Sequence, residues 1–248
     1  MGLTERLIEA IEGEERCVLF TMVEGESPGA KLLVFESGEV VGEGFGGVVE
    51  MADELIRGAR SKLVEVDGRK VFAEVYGPPP RLLVYGAVDA ADSLCAAAKL
   101  LGWTAIVADA RAKFATRRRM PNADDVIVAW PEEALAQVAP DHATAVVVLT
   151  HDDKFDVPAL RGALATEAFY IGALGSRRNQ ERRRERLLEA GVSEEEFSRI
   201  SGPCGLDIGA DTPAETALSI MAEMLAVRAG REGGSLKGAR GRIHVEVT

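Results

Sequence analysis

The sequence predicts an α/β fold: a Rossmann-type parallel sheet of about five strands flanked by helices, preceded by a smaller N-terminal α+β domain. The first observation is the run Gly77-Pro78-Pro79-Pro80, because its prolines forbid a continuing helix or central strand and so mark a boundary. The second is a change after these prolines, from short runs separated by turns to continuous apolar strands alternating with amphipathic helices. We therefore predict domains at 1–77 and 81–230, and a C-terminal tail at 231–248 with room for a short strand.

The N-terminal domain is predicted from short β-rich runs separated by residues typical of turns. Glu26-Ser27-Pro28-Gly29 and Ser37-Gly38 are typical of hairpin connections. One helix is predicted over Val48–Ala59, where small and apolar residues recur at every fourth position. The predicted strands are Cys17–Val23, Ala30–Phe35, Glu39–Gly42, Lys62–Val66 and Lys70–Tyr76.

The second domain is predicted from apolar runs that are buried on both faces of a parallel sheet. Between the first two runs, apolar residues from Ala91 to Leu101 fall on one face of a helix, and Gly102 is its expected stop. Strand, helix and strand make a βαβ unit. The predicted strands are Arg81–Tyr85, Thr104–Ala108, Asp125–Ala129, Ala145–Leu149 and Ala168–Ile171.

The composition excludes several classes of protein. With 29 basic against 40 acidic residues the formal charge is −11, which disfavours nucleic acid and anionic membrane surfaces as partners. The residues from Met1 to Arg6 open an amphipathic helix rather than a signal peptide, so we expect a cytoplasmic protein. The cysteines Cys17, Cys95 and Cys204 have neither metal-ligand spacing nor an even count, so we expect no metal site and no disulfide framework.

The first strand-to-helix turn, Gly86-Ala87-Val88-Asp89, is the expected ligand site of the second domain. Asp109 follows Gly86 by 23 positions, the spacing at which an acid binds the ribose hydroxyls of a dinucleotide. The glycine fingerprint has lost its middle glycine to Val88, whose side chain should hinder a pyrophosphate. Two interpretations remain open: a modified NAD(P) site, or a tight turn in which Asp89 is only a helix N-cap.

A second polar group follows the fourth predicted strand, where open α/β sheets bind ligands. His151 and Asp152 could act as a general acid or base or bind a ligand, and these are the candidate catalytic residues. A scaffold role is equally open, and nothing nearby completes a metal set or a nucleophilic triad. Asp156, followed by Pro158, is predicted to be an ordinary N-cap.

A glycine loop after the fifth predicted strand leads into a helix that runs to about Ala190. Gly172, Gly175 and Ser176 precede Arg177 and Arg178, whose charges oppose the helix dipole in the first turn. An anion held by these groups would explain that cost. A salt bridge to the N-terminal domain is the competing explanation.

The last polar segment divides into a functional and a structural part. The glycines that flank Cys204 and Asp207 indicate close approach to a ligand or another surface. Thr212 and Glu215 form a predicted capping box, with Pro213 at the first helical position. The second part therefore needs no catalytic role.

Three of these motifs together resemble the XdhC/CoxI family of accessory proteins for xanthine and carbon monoxide dehydrogenases. They are THDDKFD at 150–156, YIGALGSRR at 170–178, and GPCGLDIGA at 202–210 followed by Thr212-Pro213. The resemblance extends more faintly to 27–31 and 46–50 in the N-terminal domain.

The resemblance implies a chaperone rather than a dehydrogenase. Such a protein holds the molybdenum cofactor (molybdopterin), protects it during sulfuration and delivers it to an apo-molybdenum hydroxylase, with a cysteine desulfurase as a further partner and a homodimer as an assembly. The predicted cofactor-binding residues are Gly86, Ala87, Val88, Asp89, Asp109, Arg111, Gly172, Gly175, Ser176, Arg177 and Asp207. Asp109, His151 and Arg177 are expected to be walls of one pocket beside the Gly86 turn.

The chain departs from the family pattern at several positions. Val48 stands where the family has cysteine, and the later cysteine-glycine-glycine motif is absent around Val66-Asp67-Gly68. Val88 and Asp89 replace a glycine and a histidine at the turn. Two alternatives to the cofactor chaperone therefore stay open: an NAD(P)-dependent oxidoreductase, and a degenerate nucleotide- or anion-binding regulatory protein.

Overall fold

The computed structural model describes residues 2–43 and 45–238, and the chain divides into two compact units at Pro78 and Pro79. We call these the N-terminal unit, which runs to Pro78 and also includes the described residues from Gly234 onward, and the Rossmann unit, which covers Pro79–Gly233. Each has a hydrophobic core of its own.

The N-terminal unit is an antiparallel sheet with helices. Its strand order is β3-β2-β1-β5-β4, and every neighbouring pair is antiparallel. This arrangement agrees with the predicted α+β class. The strands are β1 Cys17–Glu24, β2 Lys31–Phe35, β3 Val40–Val41, β4 Lys62–Val66 and β5 Arg69–Tyr76, and the helices are α1 Leu3–Glu12, a 3₁₀ turn at Val49–Met51 and α2 Ala52–Gly58.

Strand β1 lies at the centre of this sheet because both of its faces are apolar. Val18 and Phe20 point into a core shared with α2, whereas Cys17 and Leu19 pack in a second cluster with residues of α1. Alternate residues of a strand point to opposite faces, so the continuous apolar run serves both clusters.

The helix predicted over Val48–Ala59 is shorter and less regular than expected. It begins as the 3₁₀ turn, becomes α-helical only at Ala52 and ends at Gly58, where the capping residue Ala59 has a φ of +45°. Apolar periodicity reports which face is buried, but it does not distinguish a 3₁₀ turn from the first turn of an α-helix.

The Rossmann unit is a six-stranded parallel sheet flanked by helices, one strand more than the predicted five. The additional strand, β11, has two residues, too few for any apolar periodicity to be visible. The strands are β6 Arg81–Tyr85, β7 Thr104–Ala108, β8 Asp125–Ile127, β9 Thr144–Val148, β10 Tyr170–Ala173 and β11 Ile200–Ser201. The helices are α3 Asp89–Leu100, α4 Pro131–Val138, α5 Asp153–Leu164, α6 Arg177–Glu189, α7 Glu194–Ser198 and α8 Pro213–Arg228.

The strand order, β11-β10-β9-β6-β7-β8, reverses direction at β6. The chain goes from β6 to β7 on one side and later returns to β9 on the other, and Tyr85 pairs with Val148 where β6 and β9 end together. Ligands of open α/β sheets bind outside the carboxyl ends of the strands at such a reversal. The turn after Tyr85 lies at this position.

Two helical layers cover the two faces of the parallel sheet. Leu94 of α3 and Ile220 of α8 belong to one core cluster, and Leu135 of α4, Leu160 of α5 and Leu187 of α6 belong to the other. Because both faces are covered, the central strands β6 and β9 are almost entirely buried.

Residues 231–238 contain no strand, and the remainder of the C-terminal tail, where a short strand was predicted, lies outside the described residues. Over the described ranges, none of the helices is both long enough and apolar enough to cross a membrane.

Candidate functional site

The turn after β6 requires glycine at its first position. Gly86 has a φ of +113°, and a methyl group at this position would lie 2.8 Å from Thr150 Cγ2 and 3.1 Å from the Thr150 amide nitrogen. Its own amide donates to the Ala108 carbonyl over 2.8 Å. The turn is therefore held between the carboxyl ends of β7 and β9, where a side chain has no room.

The buried carboxylate of Asp109 stabilises this turn through hydrogen bonds. Only 1% of its surface is exposed, and its Oδ2 accepts a hydrogen bond from the Ala87 amide over 3.0 Å and another from Arg111 Nη2 over 2.8 Å. Its Oδ1 accepts from the amide and from Nε of Arg111, both over 2.9 Å. Both oxygens already accept two hydrogen bonds each. A contact with ribose hydroxyls, which the spacing had suggested, therefore requires one of these bonds to break.

The same contacts set the ionisation of Asp109. Burial alone would raise its pKa, but the hydrogen bonds from the Arg111 side chain and from the Ala87 amide outweigh burial and hold the pKa below its ordinary value. Asp109 is thus a carboxylate at neutral pH, and it fixes both the turn and the Arg111 guanidinium.

A cleft of about 230 Å³ opens beside the turn. Asp89 lines this cleft, and its side chain is 86% exposed. Asp89 Oδ1 lies 3.4 Å from Arg119 Nη2. Asp89 is the first residue of α3, and Val88 is the N-cap, so the prediction of Asp89 as the N-cap was wrong. The cleft is lined by Ala87, Val88, Asp89, Arg111, Phe114 and Arg119.

Cations surround one aromatic ring of this cleft. The guanidinium carbons of Arg111 and Arg119 lie 4.4 and 5.1 Å from the centroid of Phe114, and Lys113 Nζ lies 4.9 Å from it. Phe114 and Arg119 were not among the predicted site residues. The signal that could have identified them is the presence of five basic residues between positions 111 and 119 of an acidic chain.

The candidate catalytic residues lie at the carboxyl end of β9, and both are exposed. Asp152 is the N-cap of α5, with its Oδ1 accepting from the Lys154 amide over 3.2 Å. The structure thus assigns Asp152 a capping role, and a catalytic role for His151 and Asp152 stays a prediction.

Asp156 is not the N-cap that its sequence context predicted, because α5 begins three residues earlier and buries it. Its Oδ2 accepts from Arg183 Nη2 over 3.1 Å, its Oδ1 accepts a short hydrogen bond from the Thr150 hydroxyl, and both charged side chains are 5% exposed. Burial raises the pKa of Asp156, although the hydrogen bonds from Thr150 and Arg183 oppose this shift. Arg183 Nη2 also donates to the Leu174 carbonyl over 2.9 Å. The pair therefore links α5, α6 and the glycine loop after β10.

The predicted anion site lies around the start of α6. Gly172 is in β10, Gly175 is in the following loop, and Ser176 is the N-cap, whose hydroxyl accepts from the Asn179 amide over 3.2 Å. Arg177 and Arg178 are exposed, and neither has an ion pair within the described Rossmann unit. Anion binding here stays a prediction.

The glycine loop after β11 is attached to α8. Glu223 Oε2 accepts from the Gly205 amide over 2.8 Å and also accepts a short hydrogen bond from the Tyr170 hydroxyl. Burial raises the pKa of the nearby Cys204 thiol to about 12, so the thiol is protonated at neutral pH. Asp207 is exposed.

The predicted capping box of α8 is confirmed. Thr212 is the N-cap, its Oγ1 accepts from the Glu215 amide over 3.2 Å, and the Glu215 carboxylate accepts from the Thr212 amide over 2.8 Å. The segment is structural, as its sequence pattern indicated.

The cleft brings together only part of the predicted cofactor-binding set. Ala87, Val88, Asp89 and Arg111 line it, with Gly86 and Asp109 directly behind them. The other members of the set are not among its lining residues: Gly172, Gly175, Ser176, Arg177 and Asp207. His151, which was expected to be a wall of the same pocket, does not line it either. Among the residues that the structure describes, no cluster of histidine, cysteine and carboxylate side chains could hold a metal ion.

Comparison with known proteins identifies the Rossmann unit. Residues 82–224 match the XdhC Rossmann domain, and this region contains every residue of the cleft. A crystal structure described as a xanthine dehydrogenase from Bacillus halodurans superposes with a TM-score of 0.69 at 25% identity, covering 92% of this chain and 67% of that chain.

Curated relatives match over different parts of the chain. YqeB of Escherichia coli (strain K12), an uncharacterized protein, is 29% identical over 91% of this chain. A probable xanthine dehydrogenase subunit from Bacillus subtilis (strain 168) is 34% identical over 64% of the chain, and the molybdenum cofactor insertion chaperone PaoD of E. coli K12 is 40% identical over 42%. The alignments cover 47%, 46% and 32% of these relatives, so the chain spans less than half of their lengths.

The domain match covers more than half of the chain, and it includes the turn, the basic segment and both glycine loops described above. The chain therefore belongs to the XdhC family.

Proposed function

We propose that this protein binds the molybdenum cofactor at the cleft beside Gly86 and assists its insertion into a xanthine dehydrogenase-type molybdenum hydroxylase. Family membership and the relative named as a molybdenum cofactor insertion chaperone support the role. The observation that carries the site is the cleft itself, where Arg111 and Arg119 present two guanidinium groups. Each is paired with a carboxylate, that of Asp109 or Asp89, but the five basic residues between positions 111 and 119 outnumber these two carboxylates in a chain of net charge −11.

The chemistry of the cleft fits one end of this cargo. The molybdenum cofactor is a pterin that carries a phosphate group and holds the metal through its own dithiolene sulfurs, so it needs no metal ligands from the chain. Guanidinium groups are well suited to phosphate. A cleft of about 230 Å³ is smaller than most cofactor pockets, so it would hold the phosphate end and leave the rest of the molecule accessible to a partner.

The turn would hold this phosphate through side chains rather than through a cradle of backbone amides. The Ala87 amide already donates to Asp109, and the Val88 amide donates to the Gly86 carbonyl over 2.9 Å. These amides are therefore engaged, in contrast to a dinucleotide-binding turn whose amides face the pyrophosphate. This arrangement, together with the occupied Asp109 carboxylate, disfavours the NAD(P)-dependent oxidoreductase.

The partners follow from the same proposal. An apo-molybdenum hydroxylase would receive the cofactor, and a cysteine desulfurase would supply sulfur to it while it is bound. We place both encounters in the cytoplasm and include a homodimer of this chain as the assembled form. Each partner is testable by pull-down with the purified protein.

Cofactor loading tests the proposal directly. The protein is produced together with the enzymes of cofactor biosynthesis, and molybdenum and the released, oxidised pterin are measured per mole of protein. A Val88→Phe variant, which fills the cleft, should lose about tenfold in loading. Leu100→Phe is the control, because Leu100 is 86% exposed at the other end of the same helix. Absence of pterin from the wild type, or equal loading of Val88→Phe with its fold intact, overturns the proposal.

A further inference from the structure

Three side chains converge on one ring at the carboxyl edge of the Rossmann unit: one from the loop after β7, one from the N-cap of α4 and one from the first turn of α5. The ring is Phe155, which is 3% exposed, and its centroid lies 5.2 Å from that of Trp130. The Arg111 guanidinium carbon lies 5.5 Å from the same centroid, and Lys154 Nζ lies 4.6 Å from it. We call Phe155 and these three groups the Phe155 platform. It joins the ends of β7 and β8 to the start of α5.

The indole of Trp130 packs at a tilt against Phe155 and is partly exposed to solvent. Trp130 is 50% exposed, although its backbone is held as the N-cap of α4, with its amide donating to Glu133 Oε2 over 3.3 Å. The other tryptophan, Trp103, is 4% exposed and lies in the core. An exposed indole can bind planar heterocycles by stacking.

The cations of the platform are close enough to bind the same ligand. Since Trp130 and Arg111 both lie beside Phe155, the indole centroid and the guanidinium carbon are separated by at most the sum of those two distances, about 11 Å. Lys154 is 59% exposed and lies in the first turn of α5, where a positive charge opposes the helix dipole. Its Nζ is 3.6 Å from Asp152 Oδ2, an exposed contact that constrains it weakly.

We infer that the Phe155 platform binds a planar heterocycle that carries a phosphate: the ring stacks on Trp130, and the phosphate is bound by Arg111 and Lys154. The inference rests on the proposed function, and it specifies which residues contact the ring and the phosphate of the bound cofactor. Arg111 also lines the cleft beside Gly86, so the phosphate lies where the two regions meet. A pterin phosphate and a nucleoside monophosphate share this chemistry, and the experiment distinguishes them.

The test uses the full chain with neopterin monophosphate and AMP, each beside its phosphate-free parent, neopterin and adenosine. Binding to every variant is measured by calorimetry, and quenching of tryptophan fluorescence is an additional measurement for the variants that keep Trp130. Trp130→Ala should lower the affinity for the phosphorylated probe by about 10-fold or more. Trp130→Phe should retain most of the affinity, because it keeps an aromatic ring for stacking. Lys154→Gln should lower the affinity for the phosphorylated probe about fivefold and leave the affinity for its phosphate-free parent unchanged.

Matched controls separate this site from general effects of charge or folding. Lys99→Gln removes a similarly exposed lysine at the end of α3, beside Asp124, and should change neither affinity. Circular dichroism and thermal melting establish that each variant is folded. Tighter binding of neopterin monophosphate supports a pterin cargo, and tighter binding of AMP supports a nucleotide, each provided that Trp130→Ala weakens it.

Two results with the small probes overturn the inference, in addition to a result from cofactor loading. One is unchanged affinity in folded Trp130→Ala, and the other is the absence of binding of either phosphorylated probe at millimolar concentration. Failure of the proposed function is a separate result, since it appears as a wild-type protein without cofactor after co-production. Full cofactor loading of Trp130→Ala would show that the Phe155 platform does not bind the cofactor. This result overturns the inference but does not contradict the proposed chaperone function.

Discussion

Gly86 and Thr150 lie in direct contact where the Rossmann sheet reverses its strand order, with 2.8 Å between the Thr150 methyl carbon and the place where a β-carbon of residue 86 would stand. This contact sets how closely the first strand-to-helix turn approaches the end of β9. The turn and the cleft beside it therefore depend on a residue 64 positions away in the sequence.

Gly86→Ala should destabilise the Rossmann unit by about 2–4 kcal/mol, because it combines backbone strain at a φ of +113° with a clash against Thr150. Urea denaturation measures the loss. Gly102→Ala is the control, because Gly102 also has a positive φ, +73°, but has open space around it. The control should cost about 1 kcal/mol. Equal losses in the two variants would show that the contact with Thr150 contributes nothing.

Asp109→Asn should lower the free energy of unfolding by about 1–3 kcal/mol at neutral pH, because the charged acceptor of four hydrogen bonds is lost. The pKa of Asp109 is lower in the folded protein than in the unfolded chain, so the unfolded chain takes up this proton first as the pH falls. The stabilisation is complete above the ordinary aspartate pKa of about 3.9 and is lost below it.

The difference in stability between wild type and Asp109→Asn should therefore narrow below about pH 4. Urea titrations from about pH 7 to about pH 3 measure it. Asp207→Asn, at an exposed loop position, is the control for the substitution itself and should change the free energy of unfolding by less than about 0.5 kcal/mol at neutral pH. A constant difference across the range would contradict the assignment of the low pKa to Asp109.

Replacing one member of the buried Asp156–Arg183 pair should destabilise the protein more than replacing both. Asp156→Asn should lower the free energy of unfolding by about 3–5 kcal/mol, because it leaves the Arg183 charge buried without its carboxylate. The double variant with Arg183→Gln should be more stable than the sum of the single losses by about 1–3 kcal/mol. The exposed pair Arg186 and Glu189, 3.2 Å apart, is the control cycle and should couple by less than about 0.5 kcal/mol. Additive losses in the buried pair would show that the two side chains act independently.

Asp89 should act against the phosphate of a ligand in the cleft, because its exposed carboxylate competes for Arg119. Asp89→Asn is therefore expected to raise the affinity for neopterin monophosphate about two- to fivefold, with a larger effect at low salt. The control is Asp125→Asn, which disrupts a comparable exposed pair with Arg117, at 3.3 Å, where β8 begins. Calorimetry at two salt concentrations measures both. Lower affinity in Asp89→Asn would mean that the carboxylate helps to bind the ligand.

The sequence alone was sufficient for the elements that extend over many residues. Strands β6 and β7 have the predicted bounds, since a run that is apolar after its first residue and lies between turn residues leaves few alternatives. The capping box of α8 is equally local, because all of its hydrogen bonds join residues within four positions. The two-residue strand β11 exists only because β10 pairs with it, so no pattern along the chain could indicate it.

The site was decided by tertiary structure. Asp156 has the sequence context of an N-cap, yet the start of α5 at Asp153 places it in a buried pair with Arg183, 27 positions away. Asp109 has the spacing of a ribose-binding acid, yet its oxygens are occupied by Arg111 and Ala87. The sequence by itself determined which residues lie at the carboxyl ends of the strands, where ligands bind, because this follows from local strand and helix preferences. Which of them meet, and which are free for a ligand, depended on hydrogen bonds and contacts between distant segments, and these form only when the sheet assembles.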